Sequence, residues 1–91
     1  MAEVVWPETV IVQLDEITAY VSAVNPPAGD LLIERLVALG ESLAVFPNRG
    51  RPAPGGAREM TNIPPYVLRY RVIGAVVVIT DIRHGRRRPL S

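Results

Sequence analysis

The sequence predicts an α+β domain in which an antiparallel pair of helices covers one face of a small, mostly antiparallel β-sheet. In the first half, apolar residues recur every three or four positions, which is typical of helices with one buried side. In the second half, residues 66–73 alternate between two faces, and residues 76–79 are four consecutive branched aliphatics, as in a strand that is covered on at least one face. Because a helical pair must bury its apolar side, we expect it to pack on the sheet. The predicted order is β-α-α-β-β-β in one domain over residues 1–91.

A proline separates the first predicted strand from the first predicted helix. Residues 2–6 form a short strand-like run that ends at Pro7, and a proline is tolerated in the first turn of a helix. Asn25-Pro26-Pro27 is expected to end this helix, because the residue before a proline avoids the helical region. The apolar stripe between these points consists of Val10, Leu14, Ile17, Val21 and Val24.

The second predicted helix begins after these prolines. Its inner face is expected to contain Leu32, Leu36, Leu39 and Leu43, widened by Ile33, Val37 and Phe46. The short connection between the helices favours an antiparallel hairpin. Pro47 is expected to end the hairpin, and the proline- and glycine-rich residues 47–56 are expected to form an irregular loop.

Three extended runs follow this loop, at residues 57–61, 66–73 and 75–83. In the second run, Arg69 and Arg71 share one face, and the opposite face contains Tyr66, Leu68, Tyr70 and Val72. Gly74 suits the positive φ of a tight hairpin turn between the last two runs. Since the helices would cover the apolar face, the face with the arginines is expected to be exposed or covered by a partner.

The charge of the chain is divided between its two halves. Residues 1–48 contain one arginine and seven acidic residues, a net charge of −6, whereas residues 49–91 contain nine arginines and two acidic residues, a net charge of +7. Every basic residue is arginine, whose planar fork binds carboxylates and phosphates. The second half is therefore expected to bind an anionic group or an acidic protein.

The composition also argues against several classes of function. With no cysteine and a single histidine, the chain is not expected to bind a metal. The glycines lack the lysine of a phosphate-binding loop, and we expect no cofactor. The longest aliphatic run, residues 75–79, is far shorter than the ~20 residues of a membrane span, so no membrane partner is expected. No secretory signal is visible, and a cytoplasmic location is expected.

The candidate functional residues lie in the second half of the chain. His84 is the candidate for proton transfer, because histidine is the residue type that most readily changes charge near neutral pH. A lone histidine at a strand end is nevertheless more often a packing or hydrogen-bonding residue. Asp15 and Glu16 are more typical of a solvated helix surface than of an acid–base pair. The basic candidates are Arg58, Arg69, Arg71, Arg83, Arg86, Arg87 and Arg88.

Several short motifs occur in order along nearly the whole chain. They are Leu14-Asp15-Glu16-Ile17-x-x-Tyr20-Val21, Asn25-Pro26, Phe46-Pro47-x-x-Gly50-Arg51-Pro52, Arg58-Glu59, Tyr66-Val67-Leu68-Arg69-Tyr70-Arg71-Val72 and Ile82-Arg83-His84-Gly85-Arg86-Arg87. Each motif is unspecific alone, but the ordered set resembles the ParE/RelE superfamily of bacterial toxins. The resemblance implies the toxin of a type II toxin–antitoxin pair, neutralised by a ParD-like antitoxin of the ribbon-helix-helix type.

Members of the superfamily have one of two activities, and the motifs of this sequence bear on which of the two it has. ParE-like members poison DNA gyrase, whereas RelE-like members cleave messenger RNA on the ribosome with basic residues and often a histidine or tyrosine. This sequence departs from the RelE-like pattern at three points. It has no lysine, and Val67 stands where those nucleases place a strand arginine. Gly85 stands where many of the histidine-containing nucleases carry a tyrosine. His84, Arg71 and Glu59 are nevertheless chemical types that suffice for acid–base cleavage.

We therefore expect a gyrase-directed toxin that acts by binding rather than as an enzyme, with a RelE-like mRNA endonuclease as the alternative. The expected partner is gyrase, through its A subunit, and no direct specific binding of nucleic acid by the toxin alone is expected. Residues 84–91 would form a basic end. The expected target-binding residues are Arg83, His84, Arg86, Arg87 and Arg88, and the expected antitoxin-binding residues are Arg58, Arg69 and Arg71.

Overall fold

The computed structural model describes residues 1–85, which form two helices and one five-stranded sheet. The elements are β1 (Glu3–Val5), α1 (Glu8–Val24), α2 (Pro26–Glu41), β2 (Arg51–Ala53), β3 (Ala57–Ile63), β4 (Tyr66–Ile73) and β5 (Val76–His84). Two short 3₁₀ turns lie at Ser42–Ala44 and Pro54–Gly56. The predicted α+β class and its order of elements are confirmed, and β2 is a further, three-residue strand.

The strands lie in the order β1-β5-β4-β3-β2. β1 is parallel to β5, with Glu3 opposite Val76, and the other neighbouring pairs are antiparallel. This confirms the expectation of a mostly antiparallel sheet. Gly74 has a φ of 61° in the β4–β5 turn, a left-handed conformation that glycine adopts without steric cost. The predicted hairpin turn at this position is therefore confirmed.

The helical hairpin covers one face of the sheet and encloses the hydrophobic core. Leu36 and Leu43 are almost completely buried, as predicted for the inner face of the second helix. Val37 and Phe46 are 37% and 62% exposed, so the prediction that they widen this face was wrong. Val37 is rotated by about 100° from Leu36, and Phe46 lies beyond the end of α2. The core consists of Val10, Leu14, Leu36, Leu39, Leu43, Met60, Ile63, Leu68, Tyr70, Val77, Ile79 and Ile82.

The two helices meet through a tight connection at Asn25. The Asn25 side chain accepts a hydrogen bond from the backbone N–H of Ala28 at 3.2 Å and so caps α2, while Pro26 occupies the first turn of that helix. Gly29 then passes directly against Ser22 of α1, where any larger residue would overlap the serine hydroxyl. Within residues 1–85, no helix is both long and apolar enough to cross a membrane.

Residues 47–56 are more ordered than the sequence predicts. The expectation of a wholly irregular loop was wrong, because Arg51–Ala53 pairs with β3 as the edge strand of the sheet. Pro52 has no N–H to donate, and an edge strand tolerates this because one of its sides has no neighbouring strand. Gly55 and Gly56 then take φ values of 76° and 77°, which turn the chain from β2 into β3.

Candidate functional site

The face of the sheet opposite the helices, called the open face here, contains a group of charged side chains around Glu59. Arg69 donates two hydrogen bonds to Glu59 Oε2, from Nε at 3.0 Å and from Nη2 at 2.6 Å. Arg51 Nη2 lies 3.2 Å from Glu59 Oε1, and Arg83 Nη2 lies 3.4 Å from Oε2. These four residues, Glu59, Arg51, Arg69 and Arg83, are called the Glu59 cluster.

The register of the strands brings the Glu59 cluster together. Glu59 lies opposite Arg51 on one side and opposite Arg69 on the other, and residues opposite each other project from the same face of a sheet. On β5, Arg69 lies opposite Asp81 whereas Tyr70 lies opposite Ile79, so one extra residue is inserted in β5. Because a shift of one residue exchanges the two faces, this bulge puts Asp81 and Arg83 on the open face.

Glu59 is a buried carboxylate that stays ionised. Only 8% of the residue is exposed. The hydrogen bonds from Arg69 lower the pKa of Glu59, burial opposes this by disfavouring the charged form, and the hydrogen bond from Arg51 lowers it further. An ionised carboxylate with a lowered pKa neither donates a proton nor accepts one readily near neutral pH. The arrangement therefore suits Glu59 to holding arginines in place rather than to acid–base chemistry.

Helix α1 fixes Asp81 and, through it, Arg83. Gln13 donates from Nε2 to Asp81 Oδ1 at 2.8 Å, and its Oε1 accepts from the backbone N–H of Ile82 at 3.1 Å. Asp81 Oδ2 then pairs with Arg83 Nη1 at 3.3 Å. β1 pairs only with residues 76–78 of β5, so the Gln13 side chain supplies a hydrogen bond to the backbone N–H of Ile82, which has no neighbouring strand on that side within residues 1–85. Arg83 is thereby fixed between two carboxylates at the end of β5.

The three arginines predicted to contact an antitoxin lie on different faces of the sheet. Arg69 and Arg71 lie on the open face, where Arg71 is exposed above Gly55 and has no ion pair within residues 1–85. Arg58 lies opposite Tyr70 and therefore on the face toward the helices. It donates to the backbone oxygens of Asn48 and Gly50, at 3.2 and 2.7 Å. The structure therefore groups Arg69 with Arg71 and separates both from Arg58.

The Phe-Pro-x-x-Gly motif forms an anchored loop. Tyr70 Oη donates to the backbone oxygen of Pro47 at 2.7 Å and accepts from the backbone N–H of Gly50 at 2.9 Å. A side chain at Gly50 would collide with the Tyr70 hydroxyl. Two of the motifs noted in the sequence thus meet in the structure, and what they do there is hold residues 47–50 against β4. Phe46 itself points largely into solvent.

His84 lies on the opposite face of the sheet from the Glu59 cluster. It stands opposite Tyr66, with the two rings edge to face at a centroid distance of 5.7 Å. Together with Glu16, Ile17 and Tyr20 of α1, these two residues line a cleft of about 330 Å³, called the His84 cleft. His84 is thus brought together with neither Glu59 nor Arg71. The predicted target-binding residues Arg86, Arg87 and Arg88 lie outside the described residues.

Comparison with known proteins identifies the family of the chain. The family model described as "ParE toxin of type II toxin-antitoxin system, parDE" matches residues 4–89. The chain belongs to the ParE toxin family. It is therefore a toxin of a type II toxin–antitoxin system, in which the partner of the toxin is an antitoxin. The resemblance noted in the sequence is confirmed at this level.

Two relatives and one solved structure resemble this ParE-family toxin over most of its length. Toxin RelE2 of Caulobacter vibrioides is 40% identical over 87 residues, which cover 96% of this chain and 99% of the relative. Putative toxin Y4kP of Sinorhizobium fredii is 31% identical over 86 residues, which cover 92% of this chain and 90% of the relative. The structure described as "Chromosomal ParDE TA system from P. aeruginosa" matches with a TM-score of 0.81, at 22% identity and over 92% and 96% of the two chains. At that identity, the last comparison supports the fold alone.

Proposed function

We propose that this ParE-family toxin inhibits growth by binding and poisoning DNA gyrase, and that a ParD-like antitoxin neutralises it. The observation that carries the proposal is the separation of His84 from Glu59 and Arg71. Acid–base cleavage needs its catalytic groups within hydrogen-bonding reach of the same reacting atoms. Here Glu59 and Arg71 lie on the open face, and His84 lies on the face toward the helices. Binding to a protein target does not require these residues to converge.

The state of Glu59 supports the same proposal. A nuclease that used Glu59 as its base would be helped by a raised pKa, because a carboxylate with a low pKa takes up a proton weakly. Arg69 and Arg51 instead lower the pKa of Glu59. The arginines of the cluster outnumber its carboxylate, so the surface around Glu59 keeps a positive charge for contact with acidic groups.

The proposed gyrase contact uses the end of β5 and the basic residues that follow it. Arg83 is held by Glu59 and Asp81, so its guanidinium has little conformational freedom to lose on binding. His84 is the next residue along the chain. The proposed contact set is Arg83, His84, Arg86, Arg87 and Arg88, directed at the A subunit of gyrase.

The proposed antitoxin contact uses the open face. Arg71 is exposed there beside Arg69, and an acidic segment laid along the sheet would pair with both. Arg58 lies on the other face near the edge strand β2, so the segment would have to cross that edge to reach it. The proposed contact set is therefore Arg69 and Arg71 on the open face, together with Arg58, which the segment reaches across β2.

The alternative function, ribosome-dependent cleavage of messenger RNA, is kept for one reason. The relative with 40% identity over nearly the whole chain has the name Toxin RelE2. Under this alternative His84 is the candidate catalytic residue, acting from its cleft without Glu59 or Arg71.

Supercoiling of DNA by purified gyrase tests the proposal. Wild-type toxin is expected to inhibit supercoiling, and the triple variant Arg86→Glu, Arg87→Glu, Arg88→Glu is expected to lose at least ~10-fold in potency, because three attractive contacts become repulsive. Arg83 is left unchanged in this variant, since replacing it would disturb Glu59 and Asp81. Arg35→Glu on α2 is the control and should inhibit like the wild type. Full inhibition by the triple variant would exclude the proposed contact, and absence of inhibition by the wild type would exclude gyrase as the target.

A further inference from the structure

The His84 cleft is a concave region of the surface that lies away from the Glu59 cluster. Glu16 and Tyr20 are four positions apart on α1, and Ile17 lies between them, so one side of the helix supplies all three. Tyr66 and His84 supply the opposite wall from β4 and β5. The volume of about 330 Å³ is at the lower end of the range for ligand pockets and holds far more than one water molecule.

The side chains of the cleft include one carboxylate and two tyrosine rings, groups that suit a positively charged ligand. Glu16 is exposed and has no ion pair with another residue of 1–85, so its carboxylate is available to a ligand. Tyr20 is 68% exposed, so its ring is accessible to a ligand. A cation in the cleft would meet a carboxylate and aromatic rings together, two groups that each attract positive charge.

We propose that the His84 cleft binds the guanidinium group of an arginine from a partner protein. A guanidinium is planar, so it can donate hydrogen bonds to Glu16 in its plane while its face stacks on Tyr20 or Tyr66. A lysine ammonium is compact and strongly hydrated, and it cannot stack in this way. An anionic group would be repelled by Glu16, which belongs to the half of the chain (residues 1–48) whose net charge is −6.

The inference goes beyond the proposed function, because it concerns an acidic site on the helical side and holds whether or not gyrase is the target. The arginine-rich open face is suited to acidic partner groups, and the cleft adds one contact for a basic group. A partner that carries both kinds of group would be held in one orientation by the pair of sites.

Titration of the purified full-length toxin with capped arginine, N-acetyl-arginine-amide, tests this inference. Amide chemical shifts in an NMR spectrum should change for residues around Glu16 in α1 and around His84 in β5. The matched probe is N-acetyl-citrulline-amide, which has nearly the same shape without the charge, and it should bind at least ~10-fold more weakly. Equal binding of the two probes would overturn the proposal, as would shift changes centred on the Glu59 cluster.

Variants of α1 then identify the groups responsible. Glu16→Gln should weaken binding of capped arginine about 10-fold, and Tyr20→Ala should weaken it about 2- to 5-fold. Asp15→Asn is the matched control, because it removes the same charge one position away without lining the cleft. Binding by Glu16→Gln at the wild-type strength would overturn the proposal, and so would an equal loss in Asp15→Asn. None of these measurements depends on gyrase, so they can fail while the supercoiling test succeeds.

Discussion

Glu59 on β3 and Arg69 on β4 lie directly opposite each other, and one oxygen of Glu59 receives both hydrogen bonds that Arg69 donates. Arg51 and Arg83 approach the same carboxylate from the two sides. A single buried carboxylate on β3 thus holds three arginines that lie on β2, β4 and β5. The positive charge of the open face is therefore presented by a rigid sheet, which favours binding because less side-chain freedom is lost on contact.

Glu59→Gln should destabilise the fold, and the loss should depend on pH. At neutral pH the variant loses charge-assisted hydrogen bonds worth about 1.5–3 kcal/mol in the free energy of unfolding. Because the pKa of Glu59 is lowered in the folded state, its contribution is present above the ordinary glutamate pKa of about 4.3 and is lost as the pH falls through the lower, folded-state value. The free energies of unfolding of the wild type and the variant, measured with urea at about pH 7 and pH 3, should be closer to each other at pH 3.

The matched control for this measurement is Glu34→Gln, at an exposed carboxylate on α2. It should leave the free energy of unfolding within about 0.5 kcal/mol of the wild type at both pH values. If Glu59→Gln behaves like this control at neutral pH, Glu59 does not organise the arginines.

Tyr70→Phe should loosen the loop at residues 47–50 while keeping the buried aromatic ring in the core. The change deletes the hydroxyl that bridges Pro47 and Gly50 and leaves the Gly50 N–H without its partner, at a cost of about 1–3 kcal/mol. Hydrogen exchange of the Gly50 amide should accelerate. Tyr20→Phe, which removes a hydroxyl from a largely exposed ring, should change neither stability nor exchange. Unchanged exchange of Gly50 in Tyr70→Phe would contradict the bridging role.

Leu36→Ala should be strongly destabilising because it opens a cavity beneath the helical hairpin. Leu36 is 1% exposed, and such truncations cost about 2–5 kcal/mol. Leu31→Ala on the same helix removes the same atoms from a residue that is 54% exposed, and it should cost less than about 1 kcal/mol. The melting temperatures of the two variants show which face of α2 is buried. Similar melting temperatures would show that Leu36 has been assigned to the buried face wrongly.

Association with the antitoxin should be accelerated by electrostatic attraction and slowed by salt. Arg71 is exposed on the open face, and charge screening shortens to about 8 Å at physiological ionic strength. Stopped-flow association rates should fall about 10-fold or more between low and high salt. Arg71→Gln should reduce the rate at low salt, while Arg35→Gln on α2 should not. A rate that does not change with salt would exclude steering by the arginines.

Most of the fold follows from the sequence pattern, because each helix has one apolar side, β4 alternates between two faces and β5 contains a continuous aliphatic run. The stripe containing Leu36 and Leu43 and the turn at Gly74 were both predicted correctly. Phe46 was misplaced because a helical period was extended past the end of the helix, where it no longer applies. The edge strand Arg51–Ala53 was missed because Pro52 and the neighbouring glycines indicate a loop when the pairing partner is unknown.

The candidate site was less predictable because it depends on register. Alternation alone places Arg69 and Arg71 on one face, but it does not reveal that Glu59 is opposite Arg69. The bulge in β5 is equally invisible in the sequence, and without it Asp81 and Arg83 would point toward the helices. The helical pattern predicts that Gln13 is an ordinary surface residue of α1. Its contact with Asp81 depends on how the helix packs against the edge of β5, which the pattern does not give.

The central claim, that this ParE-family toxin acts on gyrase by binding rather than on messenger RNA by catalysis, is tested most directly by His84→Gln. The substitution keeps a hydrogen-bonding side chain and removes a group that can transfer protons near neutral pH. The variant and the wild type are compared in two assays, gyrase supercoiling and message cleavage on translating ribosomes. We predict that both proteins inhibit gyrase within about 3-fold of each other and that neither cleaves message. Message cleavage by the wild type that falls ~10²–10⁴-fold in His84→Gln, with gyrase unaffected by either protein, would contradict the claim.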